Sequence, residues 1–190
     1  MKKRDVKAKE YLIKSMEVMH KKGFHGTSIK DITDVLGIPK GSFYNYYENK
    51  VDYTIKALEL FYEHMEINYY VFLSDSKLPP EERVLKVFES KIKDVADKKL
   101  EYGCFIGKLS LEISSTEESI VPIINTLHER MREGVQQCLL ENTDRDISKA
   151  EYISNIIMYT WQGALMRYST SNDMKHFDNF LNHLKDLLLT

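Results

Sequence analysis

Glycine and proline are scarce in this chain, and cysteine is scarcer still. The 190 residues include 8 Gly, 4 Pro and 2 Cys. So few turn-forming residues argue against an all-β or loop-rich fold. Two cysteines make no disulfide framework, which indicates reduced thiols and a cytoplasmic location. No run of about 18 apolar residues occurs, so the sequence predicts no transmembrane helix, and no apolar segment follows the charged N-terminus as a signal peptide would require.

The charge of the chain is nearly balanced in total but is unevenly distributed. The formal net charge is −2, whereas residues 1–50 carry 11 Lys and Arg against 6 Asp and Glu. The remaining residues carry 16 Lys and Arg against 23 Asp and Glu. A basic N-terminal quarter suits a polyanionic partner, although a solvated Lys-rich tail would have the same composition. Charge alone leaves both interpretations open.

Apolar residues recur at helical spacing along almost the whole chain, which predicts an all-α fold. Ser28 and Asp31 form a capping box, Gly37 suits the left-handed residue that closes a helix, and Pro39 suits the first position of the next helix. A break is expected at "EYGC", and Ser148 is a candidate cap. The predicted helices are, in chain order, a first one ending at Gly23, then residues 28–36, 39–47, 50–73, a helix from Pro80, one through Leu109 and Ile113, and residues 119–140, 150–168 and 175–188.

Two short helices joined by a glycine-containing turn, over residues 28–36 and 39–47, form the pattern of a helix-turn-helix. In such a unit the second helix enters the major groove of DNA. Phe43 and Tyr47 share one face and are expected to anchor that helix inward. The predicted DNA contacts are Thr27, Ser28, Lys30, Lys40, Gly41, Ser42, Tyr44, Asn45, Tyr46 and Lys50.

The residue types at these positions suit contacts to DNA. Lysine amines and tyrosine hydroxyls bind phosphate, Asn45 is able to read an adenine edge, and Gly41 lets the backbone approach closely. The N-terminus of the second helix suits a phosphate. Tyr44, Tyr46 and Tyr47 are not all expected in the core, because Tyr44 and Tyr46 project about 100° and 300° from the inward-facing Phe43.

The run "GFHGTSIKDITDVLGIPKGSFYNYYENKVD" resembles the N-terminal domain of TetR-family transcriptional regulators. The resemblance covers about residues 8–55, and Thr33 departs from it because many members have Ala there. It implies a DNA-binding domain over residues 1–49 and a helical effector-binding and dimerisation domain over residues 50–190. It also implies a homodimer on a palindromic operator, which acts as a repressor until a small molecule releases it.

Two further segments, "YGCFIGKLSLEIS" and "WQGALMRYS", resemble a TetR subgroup that includes the electrophile-sensing repressor of N-ethylmaleimide reductase. Cys104 matches the sensing cysteine of that subgroup, at a helix start that favours a thiolate. The lysine expected after the second segment is not matched, since Ser169 stands near its place. Cys104 as a buried, inert residue is the alternative. Cys138, on an apolar helix face, is expected to be inert.

Aromatic residues and methionines are frequent after residue 50, and most of them are expected in the core or at a dimer surface. A small-ligand pocket needs similar apolar walls with a few polar groups. The predicted pocket residues are Met65, Tyr69, Cys104, Lys108, Met158 and Trp161. The last two helices are expected to form a four-helix dimer interface, with burial inside one chain as the alternative. Its expected residues are Ile153, Ile156, Ile157, Met158, Phe177, Phe180, Leu181, Leu184 and Leu188.

Rival functions have little support in the sequence. A di-metal carboxylate enzyme needs paired Glu-x-x-His motifs, and only Glu17–His20 is present. The motifs H-E-x-x-H, G-x-S-x-G and the phosphate loop do not occur. We therefore expect no catalytic residue, no metal and no cofactor. A helical DNA-binding protein that acts architecturally without an effector stays open, and so does membrane-surface binding, although the N-terminal apolar stripe is narrow for it.

Overall fold

The computed structural model describes residues 3–97, 103–113 and 117–189, which are helices and connecting turns with no strand among them. The predicted all-α class is confirmed, whereas residues 101–102 of the predicted "EYGC" break lie outside the described residues. None of the helices described is both long and apolar enough to cross a bilayer. The helices described are α1 (Lys3–Lys22), α2 (Ile29–Leu36), α3 (Lys40–Phe43), α4 (Lys50–Asn68), a 3₁₀ helix (Tyr70–Ser74), α5 (Pro80–Ala96), α6 (Phe105–Ile113), α7 (Val121–Leu139), α8 (Ile147–Ser171) and α9 (Lys175–Leu188).

The chain divides into two compact units, and each is built from two stretches of sequence. The first unit contains residues 1–63 and 105–127, and the second contains residues 64–104 and 128–190. The predicted division after residue 49 is a division by role, and it stays a prediction. Helix α4 contributes residues to both units.

The ends of α2 are fixed by the residues that the sequence indicates. Ser28 is the N-cap and makes a reciprocal capping box with Asp31, and Gly37 closes the helix in the left-handed conformation with φ 65°. Both predictions are confirmed. Pro39 is the N-cap of α3 rather than its first helical residue, so that prediction was wrong by one position.

Helix α3 is shorter than the sequence predicts. It ends at Phe43, and the N–H groups of Asn45 and Tyr46 bond to the carbonyl oxygens three residues before them. These are the tighter bonds of a 3₁₀-like turn. A single helical turn containing Gly41 has weak intrinsic helicity, so tertiary packing decides the conformation of the segment instead. We call residues 40–47 the recognition segment.

An aromatic cluster holds the recognition segment against the rest of the first unit. The ring centroids of Phe43 and Tyr47 lie 5.1 Å apart, and Tyr53 of α4 lies 5.1 Å from Tyr47 and 5.9 Å from Phe43. All three side chains are buried, which confirms the inward orientation predicted for Phe43 and Tyr47. The hydroxyl group of Tyr53 forms a 2.9 Å hydrogen bond with that of Ser15 in α1.

Helix α6 is fastened to the C-terminal end of α1. The Lys108 amine donates hydrogen bonds to the carbonyl oxygens of His20 and Lys21, at 2.9 and 2.7 Å. The Glu112 carboxylate accepts a 3.3 Å hydrogen bond from the backbone N–H of His25. Gly23 between them has φ +78°, and a Cβ there would lie 1.9 Å from a Glu112 oxygen. The positive φ favours glycine at this end of α1, whereas the flexible Glu112 side chain could move away from a Cβ.

The boundaries of α4 and α8 differ from the prediction by three residues or more. Helix α4 ends at Asn68, and Tyr69 breaks it with φ −126° and ψ −52° before the 3₁₀ helix begins. Helix α8 begins at Ile147 behind Asp146, whose carboxylate accepts a hydrogen bond from the Lys149 N–H. Asp146 is therefore the cap, and the prediction of Ser148 was wrong. The span Lys175–Leu188 of α9 is confirmed.

An aromatic core joins α5, α8 and α9 in the second unit. Phe88 and Trp161 have ring centroids 5.3 Å apart, Trp161 lies 5.5 Å from Phe177, and Phe180 lies 5.1 Å from Phe88. Many residues predicted at the dimer surface belong to the interior of the chain instead, and their assignment to a subunit interface was wrong. The buried ones are Ile153, Ile157, Met158, Phe177, Phe180, Leu184 and Leu188.

Candidate nucleic-acid interface and effector site

The recognition segment presents most of its predicted contact residues to solvent. Its buried residues are the two aromatic anchors, its half-buried residues are Ser42 and Tyr46, and its exposed residues are Lys40, Gly41, Tyr44 and Asn45. Half of the Tyr44 side chain is exposed. Tyr46 packs edge-on against Tyr11 of α1, with ring centroids 4.9 Å apart. The segment is thus a short polar ridge on an aromatic base, which suits a DNA groove.

Neither space nor backbone conformation within the described residues requires glycine at position 41 of this ridge. A Cβ added at Gly41 would meet no atom within 4 Å, and its φ is not positive. Glycine in a helix costs about 1 kcal/mol relative to alanine. Close approach of an outside molecule to the backbone is a reason for glycine at an exposed position, and it agrees with the predicted contact to DNA.

The N-terminus of α2 is occupied by the protein's own carboxylate. Asp31 accepts hydrogen bonds from the Ser28 N–H at 2.8 Å and from the Ser28 hydroxyl at 2.5 Å. Its other oxygen pairs with Lys22 at 2.5 Å. The hydrogen bonds from Lys22 and Ser28 hold the pKa of Asp31 far below its usual range. A phosphate near Ser28 would therefore meet a negative charge, which weakens the predicted phosphate site at this helix end.

Two predicted DNA contacts point into the first unit. Thr27 is 1% exposed, and its hydroxyl donates a 2.6 Å hydrogen bond to the carbonyl oxygen of Gly23. The Lys50 amine donates to the carbonyl oxygens of Phe24 and Thr27, at 3.0 and 3.2 Å, and lies 4.0 Å from the centroid of the Phe24 ring. Thr27 is buried and Lys50 is half-buried because both close the turn between α1 and α2, and their contacts to DNA stay predictions.

Lys30 remains on the outer surface of α2. It pairs with Asp34 one turn later at 2.5 Å, and both side chains are exposed. Exposed pairs of this kind contribute little to stability, so the Lys30 amine is available to exchange Asp34 for a phosphate.

Five of the six predicted pocket residues belong to the second unit. Met65, Tyr69, Met158 and Trp161 are buried, and Cys104 is half-buried directly before α6. The side-chain amide of Gln162 lies 3.7 Å from the Cys104 sulfur. Lys108 belongs to the first unit, where its amine bonds to α1. Its prediction as a pocket residue has no structural support.

Cys138 is buried beside charged side chains, because Arg83, Glu141 and Glu81 all act on its thiol. It is 3% exposed, and its thiol lies 3.5 Å from the carbonyl oxygen of Pro80. Burial raises the pKa of the Cys138 thiol to about 11. The thiol is therefore protonated at neutral pH and unreactive.

Lys91 is a polar residue of the second unit that the sequence reading missed. It is 1% exposed and lies on the buried face of α5 together with Val84, Val87, Phe88 and Val95. The signal was present in the sequence, since position 91 continues the helical spacing of the apolar residues 84, 87 and 88. The Lys91 amine lies within 6 Å of the ring centroids of Tyr69, Tyr70, Phe88 and Trp161.

Two family models match the chain. Residues 12–52 match the model described as bacterial regulatory proteins, tetR family. Residues 80–183, more than half of the chain, match the model described as transcriptional regulator LmrA/YxaF-like, C-terminal domain. The chain belongs to the TetR family. The predicted family and the predicted class, a DNA-binding transcriptional regulator, are confirmed.

Individual relatives of this TetR-family protein extend over nearly its whole length. It is 26% identical to the HTH-type transcriptional repressor DhaR of Mycobacterium sp. strain GP1, over 93% of this chain and 89% of DhaR. It is 22% identical to the HTH-type transcriptional repressor NemR of Escherichia coli K12, over 89% of this chain and 87% of NemR. The second match supports the predicted subgroup.

Solved structures share the fold of this TetR-family protein. The TetR-family regulator of Cytophaga hutchinsonii has a TM-score of 0.88 against this chain, with 21% identity, and the match covers 100% of this chain and 96% of that one. Reduced E. coli NemR has a TM-score of 0.84, with 19% identity over 94% of this chain and 95% of its own.

Proposed function

We propose that this TetR-family protein is a transcriptional repressor that binds a palindromic operator as a homodimer and is released by a small-molecule effector. The observation that carries the proposal is the recognition segment, whose polar ridge of Lys40, Gly41, Tyr44 and Asn45 rests on buried Phe43 and Tyr47. The names of DhaR and NemR as repressors support the direction of regulation. We infer that the protein acts in the cytoplasm, without catalysis and without binding a membrane.

Helix α8 offers a surface for the second subunit. Tyr152, Tyr159 and Met166 are exposed large hydrophobic residues on this helix. They are seven residues apart, so they lie along one face of the helix. Gly163 on the same helix has open space around it, since a Cβ there would meet no atom within 4 Å. A self-complementary pairing of this stripe across a two-fold axis would cover its apolar side chains.

A symmetric dimer makes DNA binding sensitive to subunit geometry. Two recognition segments must lie about one turn of DNA apart, roughly 34–36 Å, to enter successive major grooves. In a conformation with a different distance between the two recognition segments, only one of them can enter its major groove, and the affinity for the operator falls. A coupling free energy of about 1–3 kcal/mol between effector binding and DNA binding lowers the affinity for the operator roughly 5- to 150-fold.

Two helices are candidates for carrying the effector signal. Helix α4 contributes residues to both units, and its tilt would move the recognition segment that packs on Tyr53. Helix α6 begins directly after Cys104 and bonds to the end of α1 through Lys108 and Glu112. A shift at Cys104, by ligand binding or by reaction of its thiol with an electrophile, would act on the carbonyl oxygens that close α1.

The proposal is tested by selecting bound sequences from random duplex DNA at low ionic strength and then releasing them with compounds. We expect enrichment of a two-fold symmetric sequence, and displacement of the protein from it by some metabolites, drugs or electrophiles. Failure to enrich any duplex would overturn the proposal. Enrichment without release by any compound would favour the alternative of an architectural DNA-binding protein without an effector.

A further inference from the structure

The amine of Lys91 is enclosed by aromatic rings in the second unit. It donates a 3.3 Å hydrogen bond to the hydroxyl group of Tyr70 and lies 4.6 Å from the centroid of the same ring. The ring centroids of Phe88, Tyr69 and Trp161 lie at 5.2, 5.7 and 5.7 Å. These distances are within the range of cation–π attraction. The side chain therefore ends in a cage of ring faces rather than at the protein surface.

The cage does not contain the partner that a buried lysine usually has. No carboxylate of the described residues forms an ion pair with Lys91, and the nearby Asp94 accepts its hydrogen bond from Tyr69 at 2.7 Å. An ammonium group has three N–H donors, and the Tyr70 hydroxyl accepts one of them. A buried charge is expensive unless it is paired and hydrogen-bonded.

We propose that Lys91 is the anion-binding residue of the effector site and that the effector is a small monocarboxylic acid with an apolar or aromatic body. A single buried cation balances a single negative charge, and the remaining N–H donors suit carboxylate oxygens. The rings of Tyr69, Phe88 and Trp161 supply contacts for the apolar body. The inference rests on the proposed function for its regulatory meaning, but binding of the acid does not depend on DNA.

The protonation of Lys91 fits this role. Burial lowers the pKa of Lys91 to about 7, and Cys104 acts in the opposite direction to a smaller extent. Among the described residues, the other titratable groups near the amine are the hydroxyls of Tyr69 and Tyr70 and, behind Tyr69, the carboxylate of Asp94. Burial raises the pKa of Tyr69 above its usual range. A carboxylate beside the amine would favour the ammonium form, so the acid supplies a charge partner that none of the described residues provides.

Trp161 makes the inference measurable in the intact protein without DNA. It is the single tryptophan of the chain, and its ring lies 5.7 Å from the Lys91 amine. The probes are a series of aliphatic and aromatic monocarboxylates of about two to ten carbons, each paired with its neutral amide. We expect at least one acid to change the Trp161 fluorescence with a Kd about 10- to 100-fold below that of its amide, because hydrogen bonds to charged groups are strong.

The variant Lys91→Met keeps the length and packing of the side chain without the charge, and Lys93→Met on the exposed side of α5 is its control. We expect Lys91→Met to fold, since replacing an unpaired buried charge by an apolar group is tolerated, and to lose the preference for the acid. Lys93→Met should keep it. The inference is overturned if no acid binds, if acid and amide bind alike, or if Lys91→Met keeps the preference.

The first two of these outcomes need only the wild-type protein, so the inference remains testable if Lys91→Met does not fold. Its failure is also distinct from failure of the proposed function. A protein that binds acids through Lys91 but ignores every duplex contradicts the repressor proposal alone. A protein that selects an operator but binds no acid contradicts this inference alone.

Discussion

The hydroxyl group of Tyr47 donates a 2.6 Å hydrogen bond to the carbonyl oxygen of Ala8 in α1. Tyr47 is the last residue of the recognition segment and is buried, and burial raises the pKa of its hydroxyl group. The bond joins the segment to a helix 39 residues earlier in the chain. The orientation of the exposed residues before Tyr47 therefore depends on a buried polar contact as well as on ring packing.

The variant Tyr47→Phe removes this hydrogen bond and keeps the ring. We expect it to lower the free energy of unfolding by about 1 kcal/mol, the usual value for one hydrogen bond. The matched variant Tyr44→Phe removes an exposed hydroxyl group and should change that free energy by less than about 0.5 kcal/mol. Urea unfolding followed by circular dichroism measures both. Equal effects of the two substitutions would show that the Ala8 contact is not stabilising.

The variant Gly41→Ala is expected to separate stability from DNA binding. A methyl group at Gly41 meets no atom of the chain within 4 Å, so the free energy of unfolding should rise by about 0.5 kcal/mol through the loss of backbone freedom in the unfolded state. Operator affinity, measured by fluorescence anisotropy, should fall because the methyl group stands between backbone and DNA.

Gly37 supplies the control for that experiment. It also has open space around it, but its φ is +65°, a conformation that costs an alanine about 1 kcal/mol. Gly37→Ala should therefore lower stability. Unchanged operator affinity in Gly41→Ala would contradict the close approach of Gly41 to DNA.

Lys40, at the start of the recognition segment, and Lys50, at the start of α4, should respond differently to substitution. Lys40 is exposed, so Lys40→Ala should leave the free energy of unfolding nearly unchanged. It should also make the slope of log K for operator binding against log salt concentration less negative by about 0.9, the effect of one phosphate contact. Lys50 closes the turn through Phe24 and Thr27. Lys50→Ala should lower the free energy of unfolding by about 1–2 kcal/mol. A stable Lys50→Ala protein with a reduced salt slope would restore the contact predicted from the sequence.

Burial of Lys91 predicts a specific pH dependence of stability. Its pKa is about 7 in the folded chain and 10.5 as the ordinary value. Between these values the unfolded chain binds more protons, so stability rises with pH; the destabilising effect of Lys91 is complete below about pH 7. The free energy of unfolding of the wild type should therefore rise relative to that of Lys91→Met between about pH 7 and pH 9, by at most about 1.4 kcal/mol per pH unit. A difference that is constant with pH would contradict burial of the charge.

The sequence predicted most of the local structure because local signals dominate there. The capping box at Ser28, the left-handed Gly37 and the inward Phe43 each depend on neighbouring residues within one or two turns. The length of α3 was missed since its conformation depends on packing against Tyr53, ten residues after Phe43. Predictions of which long side chains are exposed and which are buried were wrong for the same reason.

The contacts of charged residues were the part of the structure that the sequence predicted least well. Lys50 and Lys108 were assigned to DNA and to the pocket, yet each bonds to backbone carbonyl oxygens that are distant in the chain. Lys91 was passed over because lysine is usually exposed. Each assignment requires knowledge of which helix lies opposite, and helical spacing carries no such information. The same reason explains the error for the buried apolar residues of α8 and α9, which cover the aromatic core of their own chain; the use of these two helices for dimerisation stays a prediction.

The repressor proposal is tested most directly by selecting duplexes from one random pool with the wild-type protein and with Asn45→Ala in parallel. Asn45 is exposed on the polar ridge, and asparagine reads adenine in the major groove. We expect a two-fold symmetric sequence with the wild type, and relaxed preference at one base pair in each half-site with Asn45→Ala. Identical selected sequences, or no selected sequence at low ionic strength, would contradict DNA recognition by the recognition segment.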